Sequence, residues 1–294
     1  MKNYEYYLLD VFTSEPFGGN PLAVFPEGDD LSTETMQQLA NELNLSESVF
    51  IQRAHSAEAD CTLRIFTPWN EMSMAGHPTI GAAYTILSKQ LLKPKHPERL
   101  TFDEGVGPIR VDYELQNQRP AKLRMHQNLP DFGAILEKES IAELLSLSID
   151  DLEVELPVQI ISCGVPFTIV PLRSLAAVQN TKVRIDLLEQ FEVREILVFA
   201  LEPERPDSQV HCRMFAPEMG VLEDPATGGA HGPLASYLFR YGKYASPEMV
   251  SEQGFEMCRP SLLTMQLETR GEEIVDVMIG GDCVEMGSGT ICVQ

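Results

Sequence analysis

The chain has 294 residues, of which 44% are hydrophobic and 22% charged, which is typical of a globular protein with enough chain for about two domains. Its 22 basic and 44 acidic residues give a formal net charge of −22, which argues against binding to nucleic acid or to an anionic membrane. No apolar segment reaches the roughly 18 residues that a membrane-spanning helix needs, and the N-terminal sequence lacks the apolar run of a signal peptide. Six scattered cysteines without a CxxC pair indicate free thiols in a reducing compartment, so we expect a cytoplasmic protein.

The N-terminal part of the chain predicts a mixed unit of strands and helices. A helix is predicted over Thr33–Leu43, because Ser32 is a favoured N-cap residue and apolar side chains recur on one face. A second helix is predicted to begin at Pro78, a favoured residue of the first helical turn. Strands are predicted at Tyr4–Phe12, Leu22–Phe25, Val49–Arg53 and Cys61–Phe66.

Four short segments of the first half recur in the same order in the second half, at offsets that rise from 145 to 153 residues. The shared order favours two copies of one α/β unit over chance matches. The pairs are GNPLAVF (19–25) with GVPFTIV (164–170), SESVFIQ (46–52) with REILVFA (194–200), RIFTP (64–68) with RMFAP (213–217), and EMSMAG (71–76) with DPATGG (224–229).

The duplication predicts two halves, residues 1–125 and 126–294. Helices predicted at 139–147 and 184–192 have no partner in this scheme. Strands predicted at 274–279, 282–286 and 290–293 would close the second half. The alternative, in which residues near the C-terminus complete the first half, stays open.

Two glycine-rich corners, residues 75–78 and 224–230, each join a predicted strand to an amphipathic helix. Glycine lets backbone N–H groups turn towards a ligand, and a helix N-terminus adds partial positive charge. Each corner is therefore a candidate site for a small carboxylate that needs no lysine or arginine, and a purely structural tight turn is the alternative. Neither corner is a phosphate-binding loop, because the chain has no GxxxxGK[ST] or GxGxxG motif.

Four titratable residues lie at or near these corners. His77 stands at a helix start, which favours the neutral imidazole, and Asp224 precedes the second corner as Glu71 precedes the first. Glu47 lies between an amphipathic helix and an apolar strand, where burial would raise its pKa and suit it to acid/base work. The alternatives are helix capping for the corner residues and a solvated loop position for Glu47. No HxxxH, HExxH or GxSxG motif indicates a metal site or a nucleophile elbow.

Seven segments along nearly the whole chain resemble a known family. They are DVFTSEPFGGNPLAVF (10–25), NLSESVF (44–50), AGHPTIGAA (75–83), RMFAP (213–217), EDPATGGA (223–230), EQGFEMCRPS (252–261) and IGGDCVEMGSGT (279–290). On these segments the chain resembles the PhzF-like (phenazine biosynthesis-like) family, within the diaminopimelate epimerase-like fold. The resemblance implies an α+β protein with two pseudo-equivalent halves. In each half a curved, barrel-like sheet surrounds a central helix, and the site lies in the cleft between the halves.

The resemblance also implies a function, which is isomerisation by proton transfer on a small cyclic carboxylic acid. It implies no metal, no organic cofactor and a homodimer. Glu47 matches the family's catalytic acid/base residue. The substrate-binding residues that it implies are Asn20, Gly76, His77, Asp224, Gly228 and Gly229.

The sequence departs from the family at one position. In the phenazine enzymes a serine that contacts substrate follows the DPATG element, whereas this chain has Gly229, which makes the phenazine precursor a doubtful substrate. His231 is a candidate to fill the space. Neither corner holds a cysteine, which disfavours the two-thiol racemases of the same superfamily. An isomerase is therefore the prediction, with a dehydratase-like lyase or a catalytically inactive metabolite-binding protein as the alternatives.

Overall fold

The structure is a computed structural model that describes residues 2–192 and 195–293, and its fold is α+β. The α-helices are α1 (Thr33–Leu43), α2 (Gly76–Lys89), α3 (Lys138–Leu144), α4 (Leu175–Asn180) and α5 (Gly228–Arg240). The strands are β1 (Lys2–Val11), β2 (Asn20–Phe25), β3 (Glu47–Arg53), β4 (Cys61–Phe66), β5 (Glu71–Met72), β6 (Arg99–Glu104), β7 (Gly107–Gln116), β8 (Arg119–Gln127), β9 (Asp131–Leu136), β10 (Val158–Ser162), β11 (Pro166–Pro171), β12 (Ile196–Ala200), β13 (Val210–Ala216), β14 (Val221–Asp224), β15 (Glu248–Gln253), β16 (Ser261–Arg270), β17 (Glu273–Gly280) and β18 (Cys283–Val293).

The chain divides into two compact units. The first unit contains the residues up to His126 together with those from Ile279 onward, and the second contains Gln127–Met278. Strand β18 pairs antiparallel with β1 in the first unit, so the strands predicted at 282–286 and 290–293 do not close the second half. They form one continuous strand, in which Gly289 makes room for a neighbour because a Cβ there would lie 2.6 Å from the Tyr6 hydroxyl.

The two units share one order of strand pairing. In the first unit β1–β2 is antiparallel, β2–β3 parallel, β3–β4 antiparallel, β4–β6 parallel and β6–β7 antiparallel. In the second unit the same alternation joins β10, β11, β12, β13, β15 and β16. A short strand, β5 or β14, pairs with β4 or β13. The duplicated segments of the sequence therefore correspond to a duplicated topology.

Matching side chains occupy matching positions in these sheets. Arg64 on β4 donates two hydrogen bonds to Glu71, and its guanidinium lies over the ring of Phe66. Arg213 on β13 donates two hydrogen bonds to Glu223 and lies over Phe215 in the same way. Glu71 therefore corresponds to Glu223, and the predicted match of Glu71 with Asp224 is wrong by one residue.

Each unit has one helix that is buried on almost all sides. Ten of the 14 residues of α2 are buried, and this helix packs against β1, β2, β3, β4 and β7. Ten of the 13 residues of α5 are buried against β10, β11 and β16. Small residues permit this packing, since a Cβ on Gly81 of α2 would lie 2.3 Å from a methyl group of Leu22.

Of the four helix predictions one is confirmed, the helix predicted at 139–147 is found as α3 (Lys138–Leu144), and two need correction. Helix α1 has the predicted bounds, and the Ser32 side chain accepts a hydrogen bond from the Thr35 N–H as its N-cap. Helix α2 begins at Gly76 rather than Pro78, because Ala75 is the extended N-cap residue. The segment predicted at 184–192 forms a 3₁₀ helix at Ile185–Gln190, since Leu188 alone is buried there and no broad apolar face exists.

Candidate active site

Three predicted site residues meet in the first unit at the ends of β2, β3 and α2. Asn20 is the first residue of β2, Glu47 is the first residue of β3, and His77 is the second residue of α2. The parallel pairing of β2 with β3 sets Glu47 opposite Leu22, two residues beyond Asn20. The sheet register thus brings Glu47 and Asn20 to the start of α2.

The contacts of His77 indicate which ring nitrogen of its imidazole carries the proton. The Nδ2 amide of Asn20 lies 3.2 Å from Nδ1 of His77 and donates to it, which leaves the imidazole proton on Nε2. Nε2 of His77 is 3.3 Å from Oε2 of Glu47. Burial lowers the pKa of His77 to about 3, so the imidazole is neutral at physiological pH and its Nε2 lies close to the carboxyl group without forming a hydrogen bond to it.

The start of α2 adds backbone donors beside His77. Gly76 is the first helical residue, and the helix has no side-chain cap. The Thr79 N–H bonds to the Ala75 carbonyl, and Pro78 has no N–H. The N–H groups of Gly76 and His77 therefore belong to the first turn, where no carbonyl of the helix can accept them. Such groups favour an anion.

The second corner lies in the second unit, between β14 and α5. Asp224 is the last residue of β14, is buried, and accepts a 2.6 Å hydrogen bond from the Thr227 hydroxyl. Gln253 of β15 donates to the Asp224 carbonyl and to the Thr227 hydroxyl, and accepts from the Thr227 N–H. This corner is held by hydrogen bonds among Asp224, Thr227 and Gln253.

Gly228 and Gly229 open α5. The Gly228 carbonyl accepts a hydrogen bond from Gln127, and a Cβ on Gly229 would make ordinary contacts of 3.7 and 3.8 Å with the Phe167 ring. His231 is buried, donates from Nδ1 to the Thr227 carbonyl and approaches Cys212. The hypothesis that His231 fills the space of the family serine is therefore wrong, because its side chain is engaged inside the unit.

The sequence predictions missed Glu104 and Gln253, which lie behind the two corners. Glu104 ends β6, is buried, and lies 2.6 Å from the Thr79 hydroxyl on α2. Gln253 ends β15 and holds the second corner. The signal for both was present as a further duplicated segment, DEG at 103–105 and EQG at 252–254.

Among the described residues, no group of three or more His, Cys, Asp or Glu side chains is placed to hold a metal ion. Within the same ranges no helix is long and apolar enough to cross a membrane.

Comparisons with known proteins agree with this architecture. A family model described as phenazine biosynthesis-like protein matches residues 9–289. The chain is 35% identical to trans-2,3-dihydro-3-hydroxyanthranilate isomerase from Pseudomonas chlororaphis, over 98% of this chain and 99% of that protein.

Solved structures extend the likeness to the fold. The crystal structure of the PhzF-family phenazine biosynthesis protein of Bacillus anthracis matches with a TM-score of 0.89 and 27% identity over the full length of both chains. A hydroxyproline epimerase from Agrobacterium vitis shares the fold alone, with a TM-score of 0.68 and 11% identity over 98% of this chain and 92% of that one. The predicted fold class is confirmed. The chain therefore belongs to the phenazine biosynthesis-like (PhzF-like) family and is an isomerase of that family.

Proposed function

We propose that this isomerase moves a proton on a small carboxylic acid, with Glu47 as the acid/base group. The observation that carries the proposal is the contact between Glu47 and the neutral His77, whose orientation is set by Asn20. A general base must be held in position and must be able to gain and lose a proton, which a carboxyl group at the end of a strand can do.

The proposed chemistry balances without an oxidant, a metal or a cofactor. The carboxylate of Glu47 removes a proton from a C–H bond next to a double bond, and the electron pair spreads over the conjugated system. The resulting carboxylic acid returns the proton to another carbon of that system. His77 stays neutral throughout because its pKa is about 3, so it orients Glu47 and the substrate and does not itself carry the proton.

The predicted substrate contacts fall on both corners. Gly76 and His77 offer N–H groups of α2 to a carboxylate, with Asn20 behind them, and backbone donors of this kind stabilise developing negative charge. In the second unit the predicted contacts are Asp224, Gly228 and Gly229, which lie at the start of α5. The homodimer implied by the family resemblance and the cytoplasmic location inferred from the cysteines stay predictions.

The substrate of the curated relative gives the first compound to test. That protein is named for trans-2,3-dihydro-3-hydroxyanthranilate, a small cyclic amino acid, and we propose the same chemical class here. Gly229 in place of the serine removes one hydroxyl group from the predicted site. A substrate that lacks the matching polar group is therefore favoured over the phenazine precursor itself.

The test is to incubate the wild-type protein with trans-2,3-dihydro-3-hydroxyanthranilate and related cyclic carboxylic acids in D₂O and to identify products by NMR and mass spectrometry. An isomer of unchanged composition with deuterium on a carbon atom supports the proposal. Loss of water would identify a lyase. Saturable binding detected by calorimetry, with no conversion of any bound compound between pH 5 and pH 9, would identify a binding protein and contradict the proposal.

The Glu47→Gln variant tests whether Glu47 is the acid/base group. It should bind the converted compound with similar affinity while turnover falls by about 10²–10⁴-fold, the usual contribution of a general acid/base group. Retained turnover would remove Glu47 from the mechanism.

A further inference from the structure

The buried carboxyl group of Glu104 lies against a hydroxyl group in the first turn of α2. The Thr79 hydroxyl oxygen lies 2.7 Å from the Ala75 carbonyl and 2.6 Å from Oε1 of Glu104. A hydroxyl group has one proton, and a carbonyl oxygen can only accept. Thr79 can therefore donate to only one of these two oxygens at a time, and when it donates to Ala75 the short contact with Glu104 is made by a protonated carboxyl group.

The second unit places a permanently neutral group at the same position. Residues Thr62 and Asp103 are partners in the parallel β4–β6 pair, as His211 and Glu252 are in the parallel β13–β15 pair. The next residue along is Glu104 in the first unit and Gln253 in the second. Each is the last residue of its strand. Glu104 hydrogen-bonds to Thr79 in the first turn of α2, and Gln253 hydrogen-bonds to Thr227, the N-cap residue of α5.

The helix residues correspond as well. Thr79 bonds through its side chain to the Ala75 carbonyl four residues back, and His231 bonds in the same way to the Thr227 carbonyl. Both corners thus rest on a polar side chain, Glu104 or Gln253, beneath the start of a buried helix.

We propose that Glu104 is a positioning residue that works as a neutral carboxylic acid, the counterpart of the Gln253 amide, and keeps the start of α2 receptive to the carboxylate of the substrate. This inference rests on the proposed function. An ionised Glu104 would place a negative charge behind the N–H groups of Gly76 and His77, where it would oppose an anion at the helix start.

The surroundings of Glu104 agree with a neutral acid. Burial raises its pKa to about 8, with the Thr79 hydrogen bond acting in the opposite direction. The titratable groups around Glu104 include Cys61 on β4, the preceding residue Asp103 on β6, and His77, two residues before Thr79 on α2. Burial first, then the charges of Asp60, Glu104 and Asp103, raises the pKa of the Cys61 thiol well above its usual range.

No positive charge among these neighbours would stabilise an ionised Glu104. The Asp103 carboxylate already accepts hydrogen bonds from Ser56 and from the His55 N–H, and His77 is neutral. Among the described residues Oε2 of Glu104 has no hydrogen-bond partner. Apart from the Thr79 hydroxyl, the described neighbours of Glu104 give its ionised form no hydrogen bond and no positive charge that would offset burial.

The substitution Glu104→Gln tests the inference, because it copies the residue that the second unit uses. At pH 6.5 the variant should keep kcat and KM within about twofold of the wild type. Between pH 7 and pH 9 the wild-type KM should rise about tenfold as the competent neutral form declines, while kcat changes little. In Glu104→Gln this alkaline rise should be absent. A variant that keeps the rise, or that loses activity equally at every pH, overturns the inference.

A second measurement does not depend on turnover. The folded-state pKa of Glu104 is raised, so its stabilising contribution is complete below about pH 4.5 and is lost as the pH rises through about 8. The free energy of unfolding of the wild type should fall over this window relative to that of Glu104→Gln, measured by urea denaturation. If the two proteins show the same pH dependence, Glu104 is not a buried neutral acid, whether or not the enzyme assay has found its substrate.

Discussion

The two glycine-rich corners stand on the same frame of strands and carry different groups. The first has His77 directly after its initial glycine and an acid, Glu104, behind the helix. The second has Gly229 at the position of His77 and the amide of Gln253 behind the helix. Around the start of its buried helix the first unit thus has Glu47, His77 and Glu104, whereas the second has Asp224 and His231. At the second corner Asp224 is hydrogen-bonded to Thr227 and Gln253.

The difference shows how a duplicated scaffold can divide its work. In both units a parallel strand pair and a buried helix fix where the backbone of the corner lies. The backbone arrangement therefore does not require one particular side chain at the corner. A change at one position, such as His77 against Gly229, then alters chemistry without altering the fold. An arginine–glutamate pair is present in each unit, Arg64–Glu71 in the first and Arg213–Glu223 in the second. Substitutions in these pairs test stability, whereas substitutions at the corners test catalysis.

We expect the largest loss of stability when the arginine of the second pair, Arg213, is replaced. Arg213 donates to Glu223 and also to three backbone carbonyls, those of Val178, Gln179 and Thr181, and it is nearly buried. Arg213→Ala should lower the free energy of unfolding by about 3–5 kcal/mol, because it leaves buried partners without a donor. Arg64→Ala removes a more exposed pair and should cost about 1 kcal/mol or less. Chemical denaturation of both variants measures the difference, and equal losses would contradict the comparison.

The next prediction concerns pH and the ion cluster of the second unit. His211 lies between Glu252 and Glu256, and although burial alone would lower its pKa, hydrogen bonds to the two carboxylates raise it to about 9. Its contribution to stability is complete below about pH 6.5 and is lost as the pH rises through about 9, by up to about 3 kcal/mol.

The measurement is urea denaturation from pH 6 to pH 9 in the Glu104→Gln background, which removes the contribution of Glu104 and stays below the pH at which the buried thiols contribute. Adding His211→Gln should flatten the remaining pH dependence. An unchanged slope would show that His211 is not charged in the folded protein.

Two buried, neutral histidines on the first turns of α2 and α5 give a sharper comparison. His77 lies towards Glu47, whereas His231 lies towards Cys212 inside the second unit. His77→Ala should reduce turnover by about 10²-fold, the cost of a small misplacement of a catalytic group. His231→Ala should instead lower stability by about 1–3 kcal/mol and leave kcat per folded molecule nearly unchanged. Loss of turnover in both variants at full folding would contradict the division between the corners.

The smallest expected effect is that of Gly229→Ser. A Cβ fits here at ordinary contact distance from the Phe167 ring, and replacing glycine within a helix adds a little stability. The free energy of unfolding should change by less than about 1 kcal/mol. The relative kcat/KM should shift towards substrates with a polar group that meets the new hydroxyl. An unfolded variant would show that the position is closed to a side chain.

Much of this arrangement could be predicted from the sequence. The apolar repeat and Ser32 predicted α1, and the ordered repeats predicted two equivalent units. The corner glycines predicted helix starts. Local patterns could not predict that β18 joins β1, because that pairing connects the two ends of the chain. They also missed Glu104, since a carboxyl group at the end of a strand looks like an exposed residue until the parallel partner and the buried helix close over it.

The central claim is tested most directly by measuring hydrogen exchange with solvent in two variants, one at Glu47 and one at the equivalent residue Glu195. Glu47 and Glu195 occupy equivalent positions in the two units. Glu47 precedes Ser48, which pairs with Ala23 in the parallel β2–β3 pair, and Glu195 precedes Ile196, which pairs with Thr168 in the parallel β11–β12 pair. Deuterium uptake by the substrate in D₂O, followed by NMR, should fall by about 10²–10⁴-fold in Glu47→Gln and remain at the wild-type rate in Glu195→Gln. Exchange that survives in Glu47→Gln, or that is lost equally in both variants, would contradict the assignment of the proton transfer to the first unit.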